Sequence, residues 1–132
     1  MRFLVDTNIL SELAKPSPDP GVLRWARTVH AIVLSAVTLE EVSFGLACKP
    51  VPRIQQWFSA FLQEHCEVVA VTEEVALHSG HLRGQLRARG RPRTQADMLI
   101  AATAAVHGLT LVTRNTRDFD GCGVPVLNPF SS

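Results

Sequence analysis

The sequence is poor in cysteine and in net charge, and it lacks any long apolar segment. Its three cysteines, Cys48, Cys66 and Cys122, form no CxxC pair, so neither a disulfide framework nor a cysteine zinc site is expected. Thirteen Lys and Arg against twelve Asp and Glu leave a net charge of +1, which excludes a strongly basic, histone-like protein. No apolar run approaches the roughly 20 residues of a membrane-spanning helix. The opening MRFLVDTN contains no signal-peptide core, and we expect a protein of the reducing cytoplasm.

The pattern of apolar runs predicts an α/β protein. The chain has 132 residues, 46% of them hydrophobic, which fits a single domain over residues 1–132. Five short apolar runs are predicted strands, at 2–6, 31–36, 67–71, 109–113 and 124–127. They alternate little with polar residues, as is typical of strands covered on both faces. Pro125 marks the last run as an edge strand, because proline has no N–H to donate.

Helices are predicted between these strands. Asp19 followed by Pro20 opens a helix over 20–30, Pro52 begins one over 53–65, and Thr72 caps one over 73–89. Thr94 opens a last helix that ends at 107–108 and is apolar almost all round, so we expect it to be buried. Strands joined by helices indicate a parallel sheet with helices on both sides. The sequence leaves the strand order open.

Acidic and amide side chains follow several of the predicted strands. Function in such sheets gathers beyond the carboxyl ends of the strands. The residues expected there are Asp6, Glu41, Asp97, Asn115 and Asp118. Oxygen ligands without nearby cysteine or clustered histidine favour Mg²⁺ or Mn²⁺ over Zn²⁺. A cation bound by these residues can activate water and hold a phosphoryl oxygen, which indicates hydrolysis of a phosphodiester or another phosphoryl group.

Helix capping is the competing interpretation of the same acids. Thr38-x-x-Glu41 and Thr94-x-x-Asp97 both match the capping-box pattern, and Asp6 precedes a helix that starts at Thr7. Capping is a weaker explanation for the acids taken together than for any one of them. Asp97 opens a helix with no other charge over ten residues, where a carboxylate near the core is costly unless something satisfies it.

Four motifs in order carry a resemblance to a known family. FLVDTNILSEL, LSAVTLEEVSFG, QADMLIAATA and LVTRNTRDF, followed by the ending VPVLNPF, resemble the PIN-domain ribonucleases. Within them the chain is most similar to VapC-type toxins of bacterial toxin–antitoxin pairs, and especially to the FitB-like group. The resemblance covers essentially the whole chain.

The resemblance implies a three-layer α/β/α fold with the first strand central, and a Mg²⁺- or Mn²⁺-dependent endoribonuclease. It also implies a cognate antitoxin, a homodimer and a larger toxin–antitoxin assembly. By position, Asp6 and Asp97 match the metal-binding aspartates, and Glu41, not Glu40, matches the family's glutamate. Where many members have a fourth acid, this chain has Asn115. We expect Asp118 to replace that acid, with Asn115 as a neutral ligand or a group that positions water.

Arginines are concentrated just before Asp97. Arg83, Arg87, Arg89, Arg91 and Arg93 fall within eleven residues. The whole stretch is a candidate phosphate-contacting rim for RNA, and the contacts named within and beyond it are Arg89, Arg91, Arg93 and Arg114. The alternative is a solvated helix end for the cluster and an ion pair with Asp118 for Arg114.

Other functions remain open at this stage. The first is a PIN-fold nuclease that processes RNA without an antitoxin, and the second is a degenerate binding domain that has lost its metal with Asn115. A phosphorylated receiver domain needs an Asp after the third strand and a Lys after a late one, but the third predicted strand ends in Val71-Thr72 and the lysines are Lys15 and Lys49. A dehalogenase-like phosphatase is disfavoured because Asp6-Thr7-Asn8 lacks the second Asp of its motif.

Overall fold

Five short strands build one parallel sheet in the computed structural model, which describes residues 2–131. The strands are β1 (Phe3–Val5), β2 (Ile32–Ser35), β3 (Cys66–Val69), β4 (Thr110–Val112) and β5 (Val126–Leu127). Their order is β3-β2-β1-β4-β5, with β1 in the centre, and each neighbouring pair is parallel. All five predicted strands are confirmed and are shorter than predicted, β3 begins one residue before its predicted start, and β5 lies at an edge as Pro125 predicted.

Helices connect the strands, as the alternation of apolar runs and helix-like segments predicted. They are α1 (Thr7–Leu13), α2 (Pro20–Arg27), α3 (Ala36–Cys48), α4 (Pro52–His65), α5 (Glu73–Ala88) and α6 (Gln95–His107). Asp19, Thr72 and Thr94 cap α2, α5 and α6 with their side chains, as expected. α6 ends at Gly108, whose φ of 65° lies in the left-handed region that glycine adopts without strain.

Two apolar layers, one on each face of the sheet, make the fold a three-layer α/β/α sandwich. Successive strand residues point to opposite faces, so Leu4 enters one layer and Val5 the other. The first layer lies under α5 and α6 and contains Leu86, Met98 and Ile100 among its buried side chains. The second lies under α1, α2 and α4. The predicted burial of α6 is confirmed, because five consecutive residues from Ile100 to Ala104 are buried.

Strand β3 contradicts the expectation that every strand is covered on both faces. Its two central residues, Glu67 and Val68, are exposed, and Val68 keeps 42% of its surface open. The reason is its place at the sheet edge, where it pairs only with β2. On the open side Glu67 accepts a hydrogen bond from Arg2 at 2.7 Å. Across residues 2–131, no helix is long and apolar enough to cross a membrane.

Candidate active site

The carboxyl ends of β1 and β4 meet in the middle of the sheet. From β1 the chain passes to β2 and β3 on one side, and it returns to β4 and β5 on the other. The strand order therefore reverses between β1 and β4, which is where α/β sheets open a crevice for ligands. Asp6 follows β1 at this point, and its N–H donates to the Val112 carbonyl oxygen at 3.0 Å. The fold thus fixes one acid beside the end of the neighbouring strand.

Asp6 is buried, and both of its carboxylate oxygens accept hydrogen bonds. Oδ1 accepts from the Thr7 N–H at 2.8 Å, and Oδ2 accepts from Thr113 Oγ1 at 2.9 Å and from Asn8 Nδ2 at 3.2 Å. Asn8 Oδ1 in turn accepts the Arg114 N–H at 3.0 Å. These bonds join the β1 and β4 ends into one polar network. The positioning roles of Asn8 and Thr113 were missed from the sequence, although both residues adjoin strand ends.

Glu41 enters the site from α3. Thr7 Oγ1 donates to Glu41 Oε1 at 3.0 Å, so the residue next to Asp6 orients the second acid. Burial raises the pKa of the Glu41 carboxyl, and the negative charges of Asp6 and Asp97 raise it further, against the Thr7 hydrogen bond. A nearby cation would stabilise the ionised form of this carboxyl, which burial and the neighbouring charges disfavour.

The capping-box interpretation of Thr38 and Glu41 is wrong. Ser35, not Thr38, caps α3, because its side chain accepts from the Val37 N–H at 3.0 Å. Thr38 is fully buried inside the helix, and its hydroxyl has no hydrogen-bond partner among the described residues. Helix α3 starts directly at the end of β2, which places Thr38 one turn further in than the pattern assumed.

Asp97 is both part of a helix cap and a member of the acidic cluster. The Thr94 hydroxyl accepts from the Asp97 N–H at 3.1 Å, so the predicted cap of α6 is confirmed. Burial raises the pKa of the Asp97 carboxyl, and the charges of Asp6 and Asp118 add to this, while Thr94 and Arg93 oppose it. Asp97 therefore lies within electrostatic reach of two other acids.

The loop after β4 brings Asn115 and Asp118 to the same place. A short 3₁₀ helix, Thr116–Phe119, follows Asn115, and the Asp118 N–H donates to the Asn115 carbonyl oxygen at 3.1 Å. Both side chains line the same cavity, as the spacing predicted. No ion pair joins Asp118 to Arg114, both of which the structure describes. The guanidinium of Arg114 lies over the Phe130 ring instead, at 4.5 Å from the centroid.

These side chains line one open cavity of about 500 Å³. Its polar lining includes Asp6, Glu41, Asp97, Asn115 and Asp118. Among residues 2–131, no three His, Cys, Asp or Glu side chains are close enough to form a ready-made metal cage. The donors are nevertheless oxygen atoms, and at Glu41 and Asp97 the neighbouring carboxylates raise the pKa. This donor set fits a hard divalent cation, which would relieve that repulsion.

Comparison with known proteins identifies the family. A family model described as PIN domain matches residues 3–122. This chain belongs to the PIN-domain family. It is similar to the VapC ribonuclease Y4jK of Sinorhizobium fredii, at 33% identity over 97% of both chains. It is also similar to the tRNA(fMet)-specific endonuclease VapC of Shigella flexneri, at 30% identity over 93% of both. The predicted likeness to VapC toxins is confirmed.

A solved structure agrees with this assignment. The crystal structure of FitAcB from Neisseria gonorrhoeae superimposes on this PIN domain with a TM-score of 0.83 at 30% identity. The match covers 96% of this chain and 97% of that chain. The predicted PIN-like α/β/α architecture is thereby confirmed, and so is the likeness to the FitB group.

The four candidate phosphate-binding arginines of this PIN domain do not lie together. Arg114 lines the acidic cavity. Arg93 does not line it, but its Nε donates to the carbonyl oxygen of Asp118, which does line it, at 3.0 Å. Arg89 follows α5 as its exposed C-cap, and Arg91 lies against Gly121. Arg89 and Arg91 are absent from the cavity lining.

Proposed function

We propose that this PIN domain is a metal-dependent endoribonuclease that acts as the toxin of a toxin–antitoxin pair. The observation that carries the proposal is the acidic cavity at the point where the strand order reverses. The relatives are named as ribonucleases or as a tRNA-specific endonuclease, which supports RNA as the substrate. The cation we propose is Mg²⁺, with Mn²⁺ as an alternative of the same ligand preference.

In this proposal Asp6 and Asp97 hold the cation, and Glu41 and Asp118 complete the acidic set. A divalent cation held by these residues would stabilise developing negative charge as a Lewis acid and would lower the pKa of a bound water molecule. The chain's own contribution is orientation. Thr113 and Asn8 hold the Asp6 carboxylate, and Thr7 holds that of Glu41. Asn115 contributes a neutral oxygen or positions a water molecule.

The proposed partners are a cognate antitoxin and a second copy of the chain. Solved structures similar to this one include FitAB bound to a DNA fragment and DNA-bound VapBC from Salmonella typhimurium. These complexes support the antitoxin as a partner, and the homodimer within a larger assembly is proposed from the resemblance to VapC-type toxins. We place its action in the cytoplasm, where RNA is available and where Cys48, Cys66 and Cys122 stay reduced. The alternative is a nuclease that processes RNA without an antitoxin. It has the same proposed chemistry and lacks only the antitoxin partner.

Co-purification and cleavage test the function together. The chain is purified with the product of its neighbouring gene, and RNA cleavage is assayed with Mg²⁺ and with EDTA. We expect Mg²⁺-dependent cleavage that the partner suppresses. Asp6→Asn and Asp97→Asn should each abolish it, because each removes ligand charge from a cation whose Lewis acidity is worth several kcal/mol in the transition state.

Asp120→Asn is the matched control, because Asp120 is an exposed acid in the loop after β4 and does not line the cavity. It should keep full activity. Unchanged cleavage by Asp97→Asn would refute the metal site. Cleavage that the neighbouring gene product leaves unaffected would favour the RNA-processing alternative.

A further inference from the structure

A second polar cavity lies beside the acidic one and is lined by arginine. It measures about 340 Å³, and its lining consists of Arg83, Arg87, Pro92 and Arg93. Within the described chain, no acidic side chain lines it. Arg83 and Arg87 are four residues apart on α5, so they lie on the same face of the helix. Three of the four residues that line the cavity are therefore arginines.

The charges of Arg83 and Arg87 are uncompensated. Both residues are exposed, and neither is within ion-pair distance of an acid in residues 2–131. Like charges one helical turn apart repel each other. An anion between them would replace this repulsion by attraction, and guanidinium groups bind phosphate through paired, parallel hydrogen bonds. The pair thus has the chemistry of an anion site.

Arg93 lines the arginine cavity, and backbone carbonyl oxygens fix the position of its guanidinium group. Its Nε donates to the Asp118 carbonyl oxygen at 3.0 Å and its Nη2 to that of Arg117 at 3.4 Å, while Nη1 reaches the carbonyl oxygens of Pro92 and Arg91. Carbonyl groups hold the guanidinium in place but leave its full charge. The hydrogen bond to Asp118 places Arg93 against a residue that lines the acidic cavity. The arginine cavity consequently adjoins the proposed catalytic carboxylates.

We propose that Arg83, Arg87 and Arg93 form a subsite for a phosphate of the RNA backbone that neighbours the phosphate being cleaved. Arg83 and Arg87 make the direct contacts, and Arg93 supplies charge from a fixed position. This inference rests on the proposed function, since it assumes that RNA is the substrate of the acidic cavity. It assigns the phosphate contacts to Arg83 and Arg87 instead of Arg89 and Arg91.

The test measures binding of a fluorescently labelled single-stranded RNA oligonucleotide by anisotropy, with EDTA present to prevent cleavage, over a range of salt concentrations. The variant is Arg83→Ala/Arg87→Ala. We expect it to bind about tenfold more weakly, and its salt slope to fall by about 0.7 for each phosphate that the protein no longer neutralises. In cleavage with Mg²⁺, KM should rise and kcat should be retained. Alanine favours helix, so the fold should survive.

Two further variants make the result specific. Arg24→Ala/Arg27→Ala removes the same charge from two exposed arginines of α2, outside both cavities, and should bind RNA normally. Arg83→Lys/Arg87→Lys keeps the charge and loses the paired hydrogen bonds, so its affinity for RNA should lie between those of the wild type and the alanine variant.

The proposal is overturned if the two alanine pairs weaken binding equally, or if the salt slope of Arg83→Ala/Arg87→Ala is unchanged. It is also overturned, in favour of an acidic protein segment, if that variant loses the co-purified partner but binds RNA normally. A different result would refute the proposed function itself, because the wild-type protein would then cleave no RNA at all. Cleavage that is normal in the wild type and independent of these arginines refutes the subsite alone.

Discussion

The last residues of the described chain fold back onto the start of α2, and Gly21 is the point of closest approach. Ser131 donates two hydrogen bonds to Asp19, from N to Oδ2 at 3.0 Å and from Oγ to Oδ1 at 2.6 Å. A Cβ atom on Gly21 would overlap the Pro129 carbonyl oxygen and would lie 2.7 Å from the Ser131 nitrogen. Both are backbone atoms, so no side-chain rotation relieves the clash. We expect Gly21→Ala to push residues 129–131 away from α2.

The sign of the stability change distinguishes this clash from an ordinary glycine substitution. Overpacking a closely packed site costs about 1–3 kcal/mol, whereas alanine gains about 0.5–1 kcal/mol over glycine inside a helix. Gly21 is only the second residue of α2, so its gain is smaller and the net change should be a loss of about 1–2 kcal/mol. That corresponds to a fall in Tm of roughly 4–8 °C for a chain of this size. Gly80→Ala, in α5 with nothing within 4 Å, should instead raise Tm by a few degrees.

Thermal melting of both variants, without metal, measures the two changes. A second readout is the pKa of Asp19, which the Ser131 hydroxyl chiefly lowers. Release of the tail should return that pKa towards its ordinary value in an NMR titration. The KM for RNA should also rise, because Phe130 lies on the same tail and supports Arg114 at the cavity. A Tm that rises as much as in Gly80→Ala, with the Asp19 pKa still low, would refute the close contact at Gly21.

Two predictions concern the acidic cavity itself. Because burial and neighbouring charges raise the pKa of Asp97 and Glu41 above 3.8 and 4.5, these carboxyls stabilise the fold at low pH, and that stability is lost as the pH rises through their raised pKa values. Without metal, the Tm of Asp97→Asn should therefore rise relative to that of the wild type as the pH is raised to 7. A Tm difference that does not change with pH would contradict this. Asp118→Asn should weaken Mg²⁺ binding and cut cleavage by about an order of magnitude, while Asn115→Asp should hold or raise the affinity. Normal Mg²⁺ binding and cleavage in Asp118→Asn, with calorimetry and RNA cleavage as the measurements, would leave Asp6, Glu41 and Asp97 as the acids of the site.

Much of the fold could be predicted from local signals, because strands and helices are encoded by short patterns. Asp19, Thr72 and Thr94 each marked the start of a helix correctly, since a cap needs only the residue and the few that follow it. The exposure of β3 could not be predicted in this way. An apolar run is compatible with a central strand or an edge strand, and only the strand order decides between them.

Contacts between distant parts of the chain escaped the sequence for a physical reason. Asp19 and Ser131 are 112 residues apart, and neither residue type is unusual in its own surroundings. The close approach at Gly21 follows from that contact, because the backbone of the tail occupies the space of its absent side chain. The arginine cavity has the same origin. Arg83 and Arg93 lie on different segments, and the break after α5 turns the chain back so that both face one space.

Capping and site formation are one arrangement at Asp6 and Asp97, although the sequence presents them as alternatives. Asp6 caps α1 by accepting the Thr7 N–H on Oδ1, and the same carboxylate accepts Thr113 from β4 on Oδ2. At Asp97 the cap is the hydrogen bond from its backbone N–H to the Thr94 hydroxyl, and the Asp97 side chain lines the same cavity as Asp6 and Asp118. A helix that starts at the edge of a sheet needs a polar residue at its first turn. That need places acids at the carboxyl ends of parallel strands, where an acidic cavity can form.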